Sequence, residues 1–332
     1  MAILADSVVD YSIVIPVYFN EGCLMDTMAS IKHDVIAHNP HLRWEVIFID
    51  DGSKDGSLDE LLRLRERDPQ TVKVIKLTRN FGQVNALLAG FSYAGGRCVV
   101  AMSADGQDPA AMVNDMLKAH FEEGFEIVVC TRQGRDDSWY RILTSKLFYA
   151  LIRNLNFPNM PPGGFDFVLL GHRALNALLR NQEAHPFFQG QILWTGFSTK
   201  FLEYRRRERK VGQSSWTFGK KLTYLIDGVM SYSFFPMRLM SVTGITFALL
   251  GFLYALVILI KRVIVGTVVQ GWAPLMIMVL VMGGIQMLML GVIGEYLWRT
   301  LAQARNRDPY IIETIYDNAE RVDFQHYGTS QR

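Results

Sequence analysis

Residues 99–109 read VVAMSADGQDP, an apolar run that stops at a hydroxyl and then sets out a carboxylate, a glycine, an amide and a second carboxylate. Asp105 and Gln107 are hard oxygen donors one residue apart, a set that suits Mg2+ or Mn2+, and such cations usually share their shell with substrate phosphates. One Asp is a weak site unless a diphosphate supplies the remaining ligands, and the competing reading is a strand that ends in an ordinary turn. The same pattern recurs: YFNE (18–21), DDGSKD (50–55) and RNFG (79–82) each close a β-branched or apolar run. One strand-end Asp is commonplace, whereas four polar strand ends in order are hard to explain as loop chemistry alone.

The runs themselves are 11–17, 44–50, 72–77, 98–102 and 126–130, and helical patterns lie between them at about 22–38, 57–67, 83–95 and 109–123. Strands alternating with helices predict an α/β fold, a doubly wound and mainly parallel sheet covered on both faces. Ligands of such sheets sit at the carboxyl ends of the strands, where the polar clusters fall. No GxGxxG follows the first strand and no GxxxxGK[ST] occurs, so neither a dinucleotide fold nor a P-loop is indicated. Residues 137–153 and 216–230 are amphipathic and basic, and read either as packed surface helices or as helices lying in a membrane interface.

The chain has 332 residues, a net charge of +2 and 50% apolar residues, with no field that would attract nucleic acid. The apolar excess gathers after about residue 235. Segments 239–260 and 272–294 carry no charge, and each is long enough to cross a hydrocarbon core of about 30 Å. The alternative is a pair of helices buried in a soluble core. Basic residues crowd both outer flanks, from Arg205 to Arg238 and at Arg299, Arg305 and Arg307, while the connection has only Lys261 and Arg262. That asymmetry predicts a hairpin with both ends cytosolic. Gln286 and Glu295 read as an interhelical hydrogen bond and an interfacial charge. Cys23, Cys98 and Cys130 have no disulfide or zinc spacing and fit a reduced compartment. The first ten residues lack the pattern of a signal peptide. The expected organisation is a cytosolic domain over 1–215, a juxtamembrane helix over 216–236, a transmembrane hairpin over 237–298 and a cytosolic tail over 299–332, polar and mobile from about Arg321.

IPVYFNE (15–21), IDDGSKD (49–55), RNFGQ (79–83) and SADGQDP (103–109) together resemble the ordered motifs of family-two glycosyltransferases with a GT-A fold. TRQGRDDSWYR (131–141), GGFDFVL (163–169), RKVGQSSW (209–216) and two C-terminal spans narrow the likeness to the membrane-bound polyprenyl-phosphate glycosyltransferases, over residues 11 to 312. That group includes dolichol-phosphate mannose synthases, bactoprenol glucosyltransferases and the aminoarabinose transferase. The resemblance implies that Pro16, Tyr18, Glu21 and Asp51 hold the donor nucleoside, with Arg132 near its phosphates. Asp105 and Gln107 would bind the metal, Mg2+ or Mn2+, that bridges the diphosphate. Arg141, Lys146, Arg209 and Ser214 would collect around an acceptor phosphate, and Asp166 would sit at the reaction centre. Three of these also have a plainer reading: Asp51 as a turn cap, Arg209 as a solvated or lipid-facing charge, Asp166 as a partner of nearby arginines.

The implied reaction moves a sugar from a nucleotide donor, expected to be UDP-linked, to the phosphate of a polyprenyl monophosphate such as undecaprenyl phosphate. It would proceed with inversion at the cytosolic face of the inner membrane. A homo-oligomer and a downstream flippase are the expected partners. Two departures from the family pattern stand out: Ser103 where an Asp is common, and Gln213-Ser214-Ser215 where many members have a lysine. Ser103 keeps open a second reading, a catalytically silent membrane scaffold that binds nucleotide sugar or lipid phosphate. A processive synthase is disfavoured, because QILW (191–194) lacks the arginine of the Q-x-x-R-W motif and only one hairpin exists.

Overall fold

The computed structural model describes residues 9–132, 153, 157–162, 164–181, 183, 186–205, 235–265, 272–305, 307–317 and 322–323. The chain divides into two compact units, 1–222 with 308–332, and 223–307.

The first unit is built on β1 (Val9–Val17), β2 (Trp44–Asp50), β3 (Val72–Leu77), β4 (Gly96–Ala101), β5 (Ile127–Arg132), β6 (Val168–Gly171), β7 (Thr199–Tyr204), β8 (Ile312–Tyr316) and β9 (Val322–Asp323). Among the described residues these form one sheet in the order β7-β5-β6-β4-β1-β2-β3-β8-β9. Strands β1 to β5 and β7 run parallel, while β6 and β8 are antiparallel to their neighbours. Central strands of a sheet covered on both faces need apolar side chains at successive positions, and Ile13, Val14 and Ile15 of β1 are all buried.

Helices α1 (Leu24–Asp34), α2 (Ser57–Arg67), α3 (Gln83–Ser92) and α4 (Met112–Phe121) follow the first four strands, each somewhat shorter than its periodicity predicts or equal to it. Leu24, Met28, Leu61, Leu64, Val113 and Leu117 join Ile13, Ile15, Phe48 and Val100 in one core cluster. On the other face α3 comes so close that a Cβ on Gly90 would lie 2.6 Å from Ile49 Cδ1. A glycine inside a helix costs up to about 1 kcal/mol against alanine, and here the close approach requires it. Among the described residues, two further helices, α5 (His172–Arg180) and α6 (Phe188–Trp194), belong to this unit.

The C-terminal segment differs from the expected tail. Ile312–Tyr316 pairs antiparallel with β3, Thr78 N–H donates to Ile311 O at 3.0 Å, and Lys76 Nζ meets Glu313 Oε1 at 2.6 Å. An edge strand presents unpaired backbone groups, and β8 supplies partners to β3 along the stretch that leads into the 79–82 loop.

The second unit contains α7 (Phe235–Val265) and α8 (Trp272–Ala304), both long and apolar enough to cross a membrane. Candidate spans among the described residues are Met237–Ile258 and Val281–Ala304, which overlap the expected 239–260 and 272–294. Hydroxyls within them are satisfied locally, Thr243 Oγ1 on Leu239 O at 2.7 Å and Thr246 Oγ1 on Val242 O at 2.8 Å. Glu295 pairs with Arg299 one turn on, at 2.8 Å. Gln286, expected to bond between helices, makes no hydrogen bond among the described residues. The amphipathic stretches at 137–153 and 216–230 lie outside the described residues except for Arg153.

Candidate active site

Strand order reverses at β1: the chain runs β1, β2, β3 toward one edge and then returns to place β4 on the other side of β1. Such a switch point opens a crevice beyond the carboxyl ends of the two strands. Pro16 marks where it begins. Met102 N–H donates to Val14 O, so even-numbered residues of β1 direct their backbone groups toward β4, and β1–β4 pairing has already ended at Val14↔Ala101. The donor that Pro16 lacks would face that opening, so proline is tolerated inside a central strand.

Tyr18 and Phe19 follow, both exposed, with their rings edge-to-face at 4.5 Å and Phe19 at φ +54°. Glu21 reaches the second polar loop: its Oε2 accepts Gly56 N–H at 3.0 Å just before α2. Glu60 of α2 accepts Gly22 N–H at 2.7 Å and Met25 N–H at 2.8 Å, so its carboxylate satisfies open amides at the start of α1.

At the end of β2, Asp51 is buried and accepts Phe81 N–H at 2.6 Å on Oδ1 and Gly82 N–H at 2.9 Å on Oδ2. It clamps the RNFG loop and is more than a local turn cap. Burial pushes its carboxyl up to about 6 against the pull of these two amides. Asp50 beside it is fully buried, with Oδ1 on Ser53 N–H at 3.1 Å and Oδ2 unpartnered, and burial raises its carboxyl too. Gly52 has φ +71°, and a Cβ there would lie 2.6 Å from the Arg79 carbonyl carbon. Gly52→Ala is therefore expected to cost about 1–3 kcal/mol of stability, read as a lower Tm.

Beyond β4, Asp105 and Gln107 sit on a turn through Gly106 (φ +67°), and Asp105 Oδ1 accepts Gln107 N–H at 3.2 Å. Thr27 Oγ1 lies 2.9 Å from Ala104 O and ties α1 to this loop. Asp108 accepts Ser103 N–H on Oδ2 at 3.1 Å and the Tyr204 hydroxyl on Oδ1 at 2.8 Å. Ser103 Oγ is buried and unpartnered.

Arg132 ends β5 and donates from Nη2 to Asp166 Oδ2 at 2.8 Å, the plainer of the two roles foreseen for Asp166. Burial lowers the guanidinium's affinity for its proton, but Asp166, with Tyr204 and Asp108, more than offsets that and raises it overall. Because β6 is antiparallel, Asp166 reaches the same edge of the sheet as the parallel strand ends. Pro16, Tyr18, Asp51, Asp105, Gln107, Arg132 and Asp166 thus share one edge, with Glu21 spent on α2. Arg141, Lys146, Arg209 and Ser214 lie outside the described residues. Asp108 and Tyr204 went unassigned by the sequence; Asp108 stands within the quoted motif, while nothing local marks Tyr204.

The description "Glycosyl transferase family 2" matches residues 12–179, from β1 to the end of α5. The chain belongs to that family. A putative glycosyltransferase of Bacillus subtilis, CsbB, is 37% identical over 91% of this chain and 91% of its own length. A prophage bactoprenol glucosyl transferase homolog of Escherichia coli is 30% identical over 92% and 98%, and the bactoprenol glucosyl transferase of Shigella phage SfII is 31% identical over 91% and 97%. Among solved structures, the mannosyltransferase PcManGT of Pyrobaculum calidifontis in complex with GDP-Man and Mn2+ is 17% identical, with TM-score 0.48, over 67% of this chain and 64% of that one. By the family match over residues 12–179 and its own strand order, the sheet is the GT-A-type domain of a family 2 glycosyltransferase. Among the described residues no three His, Cys, Asp or Glu side chains cluster as metal ligands. The transferase's donor set fits a hard cation only as a shared shell: Asp105 and Gln107 from the protein, with the unpartnered Ser103 hydroxyl beside them, and phosphate oxygens for the rest.

Proposed function

We propose that the protein transfers a sugar from a UDP-linked donor to the phosphate of a polyprenyl monophosphate at the cytosolic face of the inner membrane, with inversion. What carries this reading is that relatives named as bactoprenol glucosyl transferases align over more than nine-tenths of the chain. The chain order supports the topology. It leaves the first unit, runs through α7 and α8, and returns to the sheet as β8. If both helices span, the two crossings bring the C-terminal strand back to the side of the sheet, as the flanking arginines require.

The acceptor phosphate has a second pKa of about 6 and is largely a dianion at neutral pH, so it needs little help from a general base. The work left to the protein is positioning and charge stabilisation. Tyr18 and the loop clamped by Asp51 frame the nucleoside, Arg132 faces its phosphates, and Asp166 orients Arg132. The basic residues Arg141, Lys146 and Arg209, with Ser214, gather the acceptor phosphate behind the anomeric carbon. Mg2+ or Mn2+ held by Asp105 and Gln107 would neutralise the departing nucleoside diphosphate. One direct displacement converts an α-linked donor to a β-linked lipid-phosphate sugar, which a flippase must carry across the bilayer for use on the far side.

The test is release of nucleoside diphosphate by the purified full chain in lipid, with undecaprenyl phosphate, a panel of nucleotide sugars and Mn2+. The expected result is lipid-dependent release from one donor. Nucleotide binding without release from any donor would favour the silent scaffold.

A further inference from the structure

Tyr204 closes β7 in register with Arg132 at the end of β5. Its ring is buried edge-on against Phe167 at 5.8 Å, which packing alone explains. Its hydroxyl does something else. It donates to Asp108 Oδ1 at 2.8 Å, and Asp108 Oδ2 holds Ser103 N–H at 3.1 Å, the residue that opens the Asp105–Gln107 loop. Arg132 pairs with Tyr204 in strand register, and its guanidinium, whose Nη2 is committed to Asp166 at 2.8 Å, acts electrostatically on the same phenol. One phenol thus stands between segments that follow β4, end β5 and precede β6. We propose that Tyr204 is a positioning residue that sets the loop of Asp105 and Gln107 and the Arg132–Asp166 pair in one register, with Asp108 as its relay to the loop. This rests on the transfer reaction proposed above and adds to it two residues without a role there.

The physical case is that buried polar chains hold their geometry only when every member is satisfied. Tyr204 and Asp108 are 4% and 3% exposed, so water does not replace a missing partner. Burial, and after it the Asp108 carboxylate, push the phenol well above its ordinary range, so it remains a donor at every working pH. Without the hydroxyl, Asp108 Oδ1 loses its donor and Arg132 a polar neighbour, while the ring packing stays. The loop and the pair then settle independently, and small misplacements of groups around a reacting centre cost rate more than affinity.

The experiment uses the full chain in lipid and compares Tyr204→Phe, Asp108→Asn and the double variant with the unsubstituted protein. UDP binding in the presence of Mn2+ is measured beside turnover. The expected result for each single variant is one UDP per chain with Kd within about threefold and kcat lowered about tenfold. Because the two substitutions break one link at its two ends, the double variant should lose no more than the worse single one. Unchanged kcat in Tyr204→Phe, or losses that multiply in the double variant, would overturn the proposal. So would loss of UDP binding in both single variants, which would make the link part of the fold. If the unsubstituted protein binds UDP and turns over no donor, the transfer reading itself fails and this role falls with it. Turnover in that protein with an unaffected Tyr204→Phe sinks this proposal alone.

Discussion

Asp105→Ala is expected to lower sugar transfer by about 10²–10³-fold and to remove the dependence of nucleotide binding on Mn2+, while the sheet stays folded. Asp105 stands on a turn that Gly106 shapes by its own backbone, and its carboxylate accepts Gln107 N–H at 3.2 Å. The loop is also anchored by Thr27 on Ala104 O and by Asp108 on Ser103 N–H. The substitution thus removes the charge proposed above to hold the cation and leaves those two supports. Asp105→Asn separates charge from shape: it keeps an acceptor for Gln107 N–H, and it should still lose most of the rate, because an amide neutralises none of the cation's charge. Turnover in lipid, a Mn2+ titration of UDP affinity and a thermal melt read the three consequences separately. An Asp105→Ala protein that turns over normally would remove the metal from the scheme. A melt lowered as far as that of Gly52→Ala would instead assign Asp105 to the fold.

The sequence made the central sheet legible because strands covered on both faces must be apolar at every position. Strands β1 to β5 are therefore visible as runs, and the polar residues that end them are visible as exceptions. Strand β7 hides for the opposite reason: TKFLEY alternates charged and apolar residues at the sheet's edge, and only its last residue is fully buried. Strand β8 is five residues long and finds its partner 237 positions away, as between Lys76 and Glu313. Pairing across such a separation leaves no local signal. The site divides in the same way. Which residues stand at strand ends followed from spacing, whereas what each one touches did not. Glu21 is drawn to the α2 amides, Asp166 to Arg132, and Asp51 to a loop thirty residues on.

That last contact should make donor binding depend on acidity. Asp51 accepts two backbone N–H bonds that favour the carboxylate, yet burial dominates and its pKa lies at about 6, above the ordinary 3.8. Between those values the folded chain holds a proton that the unfolded chain lacks. This group's contribution to stability therefore rises as pH falls through 6 toward 4, and is least favourable at neutral pH. Its hold on the loop runs the other way. A protonated carboxyl has a weaker acceptor on one oxygen and a donor where Phe81 or Gly82 also presents one, so the 79–82 loop loosens as the proton binds. UDP affinity should thus fall below about pH 6, with no matching fall in the global melt from this group. Asp51→Asn places an amide donor against one of the two N–H groups at every pH, which leaves a buried donor unsatisfied at a cost of about 1–3 kcal/mol. The expected result is UDP affinity reduced by about tenfold or more at pH 7, and no inflection near 6. A variant that keeps the inflection would move the titrating group elsewhere in the crevice, with the neighbouring Asp50, buried and also raised, as the next carboxyl to replace.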